Sequence, residues 1–142
     1  MAVYVLDTSA ILASFKAEPG FEEVSQILRE ANERDDVAIY IPFVALMEVE
    51  YQFLRLMEEP EVEYWMNVAM SWPVEILEST PEWRRAAAFV KAPGKISLGD
   101  AWVAGLALLL DAELVHKDPE FDAVVGLKAV RLPYDSPRGQ NP

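Results

Sequence analysis

Four carboxylates stand out in this 142-residue chain, because each lies where a short apolar run gives way to a turn or a new helix. Asp7 follows Val3-Tyr4-Val5-Leu6, and Asp118 follows Leu114-Val115-His116-Lys117. Asp100 closes Ile96-Ser97-Leu98-Gly99-Asp100, and Glu48 ends Pro42-Phe43-Val44-Ala45-Leu46-Met47-Glu48. In an α/β protein, ligands bind in the crevice outside the carboxyl ends of parallel strands. An acid just past a strand, or in the first turn of the next helix, points into that crevice. If all four meet there, they form a negative pocket with no cation supplied by the same motifs. A divalent, oxygen-preferring metal ion is the simplest counterion for such a pocket. The chemistry this suggests is metal-assisted attack on a phosphate.

Each acid also has a plainer reading. Asp7 and Asp100 can cap helices, and Asp118 can be a turn residue before Pro119, with Asp122 as a rival for its role. Glu48 resists that treatment. It is flanked by Phe43, Val44, Met47, Val49 and Tyr51, and Glu is rarely buried unless paired or metal-bound. Glu50 is its rival, two residues along and facing elsewhere. His116 reads as a polar strand end, and Trp65, Trp72, Trp83 and Trp102 as core or interface anchors. Candidate phosphate contacts are Arg84, Arg85, Lys91 and Lys95, with Lys16 and Lys117 near the same loops. A solvated helix face accounts for Arg84 and Arg85 equally well.

The elements that must position these residues alternate between strand and helix. Val3–Leu6, Val37–Ile41, Val74–Leu77, Glu113–Lys117 and Lys128–Leu132 have the short apolar character of buried strands. Helices are expected from Ala10 to about Lys16, capped by Thr8 or Ser9, and over Phe21–Asn32. Further helices run from Phe43 to about Met57, from about Glu61 to Met70, from about Pro81 to Val90, and over Leu98–Leu110. The Phe43 helix is apolar on nearly every side, which marks it as central. Phe121–Val124 is a short helical turn. This order predicts an α/β fold, a three-layer α/β/α sandwich around a mostly parallel sheet of about five strands. One domain is expected over residues 1–135, followed by a flexible tail over 136–142.

Composition narrows the function classes. With no Cys there is no disulfide framework and no thiolate metal site, and a single His excludes a His-rich zinc site. The first residues lack a basic segment, and their apolar run is too short for a signal peptide. The longest apolar run, 101–110, is far below the ~20 residues that span a bilayer. A soluble cytoplasmic protein is the expectation. A net charge of −12 argues against general, charge-driven binding to nucleic acid and suits a basic partner. No Gly-rich phosphate loop is present.

Taken in order, Val5-Leu6-Asp7-Thr8-Ser9-Ala10, Glu48-Val49, Ile96-Ser97-Leu98-Gly99-Asp100-Ala101 and Val115-His116-Lys117-Asp118-Pro119-Glu120-Phe121 resemble the PIN-domain nucleases. The nearest likeness is to the VapC toxins of bacterial and archaeal toxin–antitoxin pairs, over about residues 3–132. The resemblance implies a metal-dependent endoribonuclease that leaves a 5′-phosphate and a 3′-hydroxyl. It implies a site of Asp7, Glu48, Asp100 and Asp118 holding Mg²⁺ or Mn²⁺, with Thr8 or Ser9 ordering it. Asp7 and Asp100 are expected as direct ligands, Glu48 as a ligand or the base acting on water, and Asp118 as the holder of a second ion or of a water. The resemblance also implies a small VapB-like antitoxin as partner, and homodimers. The last motif departs from the family: His116-Lys117 stand where Thr is frequent, and Glu120 stands where Asp is usual. Two other readings remain open, a catalytically inactive PIN-like protein-binding module and a phosphatase with Asp7 as nucleophile. The second would want another Asp two residues on, where Ser9 stands.

Overall fold

A computed structural model describes residues 1–134. Its strands are Ala2–Leu6 (β1), Val37–Pro42 (β2), Glu75–Leu77 (β3), Glu113–His116 (β4) and Lys128–Arg131 (β5). They pair in parallel in the order β3-β2-β1-β4-β5. The helices are Thr8–Lys16 (α1), Phe21–Glu33 (α2), Phe43–Leu54 (α3), Glu59–Met70 (α4), Pro81–Lys91 (α5) and Leu98–Leu110 (α6), with a 3-10 turn at Pro119–Ala123. This is the expected five-stranded α/β fold. The tail expected over 136–142 lies outside the described residues.

The sheet is apolar on both faces because helices cover both, as a parallel sheet requires. Side chains alternate along a strand, so neighbouring residues feed different cores. Leu6, Ile39, Ile41 and Val115 join one core with Ile11, Val24, Val49, Phe53 and Met66 from α1 to α4. Val5 and Leu114 join the other with Trp83, Val103, Ala104, Leu106 and Ala107 from α5 and α6. α3 serves both, through Val44 in one and Val49 in the other. The chain adds β2 and β3 on one side of β1, then returns to add β4 and β5 on the other. The crevice where ligands bind in such sheets lies at that reversal, beyond the carboxyl ends of β1 and β4.

Two local differences from the sequence expectation have clear causes. α1 begins at Thr8, with Asp7 as its cap: the Asp7 carboxylate accepts the Ser9 N–H, which leaves the Thr8 and Ser9 hydroxyls for other partners. α3 stops at Leu54 rather than near Met57, and it is not enclosed on every side. Its buried row is Val44, Ala45, Val49 and Phe53, while Met47 and Leu54 are about half exposed. Apolar composition marked the helix correctly but did not say which faces had neighbours. Among the described residues, no helix is long and apolar enough to cross a membrane.

Candidate active site

Asp7, Thr8, Ser9, Leu12, Glu48, Gln52, Asp100 and Asp118 line one cleft of about 200 Å³. Each arrives by a different route. Asp7 is the first residue after β1, and its own N–H donates to the Val115 carbonyl of β4 at 3.1 Å, so it sits at the reversal point. Glu48 projects from α3. Asp100 lies in the first turn of α6, whose cap Ser97 accepts the Asp100 N–H at 3.3 Å. Asp118 caps the 3-10 turn after β4, accepting the Glu120 N–H at 2.9 Å.

The hydroxyl pair Thr8-Ser9 serves two acids at once. Thr8 Oγ1 donates to Glu48 Oε1 at 2.8 Å. Ser9 Oγ donates to Asp7 Oδ2 and accepts the Lys117 N–H at 3.0 Å, which ties α1 to the end of β4. A Cβ built on Gly99 would lie 3.9 Å from Glu48 Oε2, so the first turn of α6 runs directly beside this carboxylate. Of the rivals, Glu50 is exposed and absent from the cleft, and Asp122 pairs with Arg131 at 3.0 Å instead.

Charge is poorly tolerated here. Asp7 is 3% exposed, and burial pushes its carboxyl up to about 6 against the hydrogen bonds from Ser9; the nearby Glu48 and Asp118 push the same way. Asp100 is also raised, first by burial, then by a hydrogen bond shared with Glu120 and by the charges of Asp7 and Asp118. One buried polar side-chain atom among the described residues has no partner, Asp7 Oδ1. An unpaired buried oxygen of this kind is costly and is suited to a ligand with positive charge. The donor set is all oxygen, which fits Mg²⁺ or Mn²⁺ rather than a soft metal. Among the described residues no three acids are gathered tightly enough to hold an ion by themselves. Mg²⁺ does not require that, since it usually keeps several waters and uses one or two carboxylates.

None of the basic residues considered as phosphate contacts is among those lining the cleft. Arg84 and Lys91 line an apolar groove with Leu98 and Trp102, and Lys95 lines a separate cavity with Phe89 and Val125. Arg85 is exposed on α5, and Lys16 is exposed at the end of α1. Lys117 Nζ turns away to the Pro19 carbonyl at 2.9 Å, and Glu18 Oε1 lies 3.7 Å from it. His116 is buried. Its Nδ1 accepts the Asp118 N–H at 3.0 Å, its ring meets Phe121 edge-on, and burial lowers its pKa. It holds the loop that carries Asp118, and Thr at this position would supply only a hydroxyl. Gln52, one turn beyond Glu48 on α3, is a cleft residue that sequence reasoning missed; its i, i+4 spacing from Glu48 was the available signal.

The PIN domain family model matches residues 4–127, and the chain belongs to that family. No curated protein matches it by sequence. Its fold is similar to that of VapBC2 from Rickettsia felis bound to a DNA fragment from their promoter, with a TM-score of 0.75 at 15% identity over 92% of this chain and 99% of that one. DNA-bound VapBC from Salmonella typhimurium gives 0.77 at 18% identity, over 92% and 98%. VapBC-5, of the VapBC family of toxin–antitoxin systems from Mycobacterium tuberculosis, gives 0.63 at 18% identity, over 92% and 99%.

Proposed function

We propose that this protein is a divalent-metal-dependent endoribonuclease and the toxin half of a VapBC-type pair. The observation that carries the reading is the buried, partnerless Asp7 Oδ1 in a cleft lined by three further acids. Asp7 and Asp100 are the residues to hold Mg²⁺ or Mn²⁺, with Asp118 lining the same cleft as holder of a second ion or of a water. When bound, the ion supplies Lewis acidity at a phosphate oxygen and lowers the pKa of water. Glu48, steadied by Thr8, orients the attacking water and accepts its proton. The water oxygen bonds to phosphorus as the P–O3′ bond breaks. The 3′ oxygen leaves with a proton from solvent, and the phosphate stays on the 5′ side. Ser9 holds Asp7 Oδ2 through both its N–H and its hydroxyl, which leaves Oδ1 as the oxygen without a partner.

The structures of similar fold contain antitoxins, and this surface suits one. α3 and α4 expose Tyr51, Leu54, Tyr64, Trp65 and Met70 beside many acids. A small VapB-like partner with basic and apolar side chains would cover both, and an Arg or Lys of it would neutralise the cleft. The same reading places the protein in the cytoplasm as a homodimer, with RNA as substrate. A second reading, an inactive PIN-like binding module, draws on the net charge of −12, which repels RNA.

The deciding experiment incubates the purified protein with structured RNA and Mg²⁺ or Mn²⁺, beside Asp100→Asn prepared identically. Cleavage by the wild type is expected to vanish with EDTA and to fall on the order of 10²-fold or more in the variant. Equal cleavage by both would expose a contaminant. Absence of cleavage together with absence of Mn²⁺ binding would favour the binding module.

A further inference from the structure

The peptide between Ile96 and Ser97 is held from both sides. Its carbonyl accepts a hydrogen bond from Lys91 Nζ at 2.7 Å, and its N–H donates to Glu120 Oε1 at 2.9 Å. Lys91 is the last residue of α5, and Glu120 belongs to the 3-10 turn after β4. The Ile96 side chain is buried, which fixes the peptide from a third direction. Ser97 is the cap of α6 and holds the Asp100 N–H. The position at which α6 starts, and hence where Asp100 points, is therefore set by contacts from two other elements.

Glu120 touches more than this peptide. Its carboxyl lies beside that of Asp100, close enough that each shifts the other's titration, and its N–H is held by Asp118 Oδ1 at 2.9 Å. Yet Glu120 is exposed and lies outside the lining of the cleft. Burial does not explain its conformation; hydrogen bonds do, and they run to Asp118 of the cleft and to the cap of the helix that carries Asp100.

We infer that Glu120 is a positioning residue: together with Lys91 it clamps the Ile96–Ser97 peptide and so fixes Asp100 relative to Asp118. The inference deepens the nuclease reading, but the clamp itself consists of hydrogen bonds that exist without metal. The Ile96 carbonyl takes one of the three N–H donors of the Lys91 ammonium. Partners that orient metal-holding residues from behind typically change metal affinity 10- to 100-fold when removed.

The test compares wild type, Glu120→Ala, Glu120→Gln and Lys91→Met. Amide hydrogen exchange at Ser97 and Asp100 is followed by NMR in the metal-free proteins, and Mn²⁺ affinity is measured by calorimetry, with melting temperatures as the check on folding. Glu120→Ala is expected to speed exchange at both amides and to weaken Mn²⁺ binding on the order of 10-fold, with little change in melting temperature. Glu120→Gln keeps an oxygen for Ser97 and gains an N–H for Asp100, so it should restore most of both. Lys91→Met, acting from the other side of the peptide, should speed the same two amides. Wild-type exchange at Asp100 in Glu120→Ala would overturn the clamp, and so would a Gln variant as defective as Ala. If the wild type binds no Mn²⁺, the metal reading of the cleft fails, and exchange at Ser97 and Asp100 still decides the clamp.

Discussion

Asp7 illustrates how one side chain can carry two roles that conflict energetically. As a helix cap it needs one oxygen toward Ser9, and it has that. Its other oxygen is left buried without a partner, and ionising the group in that place is unfavourable. The sign of the resulting pH dependence follows from linkage. The folded carboxyl titrates at about 6 against an ordinary value of 3.8, so between those values the folded state holds a proton that the unfolded chain has released. Stability from this group is complete below the lower value and is lost as pH rises through the upper one. The loss is about 3 kcal/mol for a shift of this size. Asp100 pushes in the same direction. Thermal melts of the metal-free protein should therefore weaken from pH 5 to pH 8, and Asp7→Asn should flatten that slope and melt above the wild type at pH 8. Added Mn²⁺ should restore the wild type at pH 8 and do little for the variant. A wild type that grows more stable toward pH 8 without metal would contradict the burial argument. At this scale the sequence was informative where a residue's place along the chain already implied its direction. Asp7 and Asp118 follow strands, and Asp100 opens a helix. Glu120 was visible only as a departure from a motif, because its partners Ser97 and Asp100 lie 20 or more residues away and only tertiary contact reveals them. The carbonyl partners of Lys91 and Lys117 were invisible in the sequence for the same reason: both ammonium groups donate to backbone that only tertiary contact brings near.

Among the elements, α5 and α6 are pressed together more closely than ordinary side chains allow. A Cβ added at Gly105 would lie 2.7 Å from the Ala87 nitrogen and 2.8 Å from its Cα, both rigid backbone atoms. An exposed helical Gly→Ala normally stabilises by about 1 kcal/mol. Here the gain is opposed by overpacking of about 1–3 kcal/mol, so Gly105→Ala should lower the denaturant midpoint rather than raise it. A raised midpoint would show that the two helices can separate without cost. Ala101, Ala104, Gly105 and Ala107 give α6 the small side chains that permit this close approach, and strand and helix order was readable from periodicity and caps. The exposed flank of α3 was not readable. Its sequence is apolar throughout, and whether Met47 or Leu54 meets a neighbour depends on where α4 and the sheet lie, not on local pattern.

The whole molecule carries −12, and its candidate substrate is a polyanion. Proteins that bind nucleic acid through basic surfaces lose affinity steeply as salt rises. This one should do the reverse at low ionic strength: added monovalent salt screens a long-range repulsion whose reach is about 10 Å at 0.1 M. Measured at fixed Mg²⁺, KM for RNA should fall between roughly 10 and 150 mM KCl, the range over which that screening length contracts most. A steep rise in KM would instead reveal a basic rim that dominates encounter, or a partner that supplies one. The acidic character was evident from composition alone. The gathering of acids around one cleft was not evident from composition, since the acids concerned are 41, 52 and 18 residues apart along the chain; it was expected from their places at the ends of strands and starts of helices.

The order of the strands has a consequence for how such a protein is made. β1 precedes the other described strands along the chain, yet it is the middle of the sheet, and one of its two neighbours, β4, begins at Glu113. While the ribosome is still translating, Asp7 has only β2 beside it; the carbonyl of Val115 that will anchor it, and the Asp118 that will face it, do not yet exist. Non-local pairings of this kind form late and slowly. A chain interrupted before β4 carries three of the four acids at most and lacks the Asp118 wall of the cleft. In the proposed nuclease, cutting power arrives all at once, when Asp118 joins the other three acids and the cleft they line is complete.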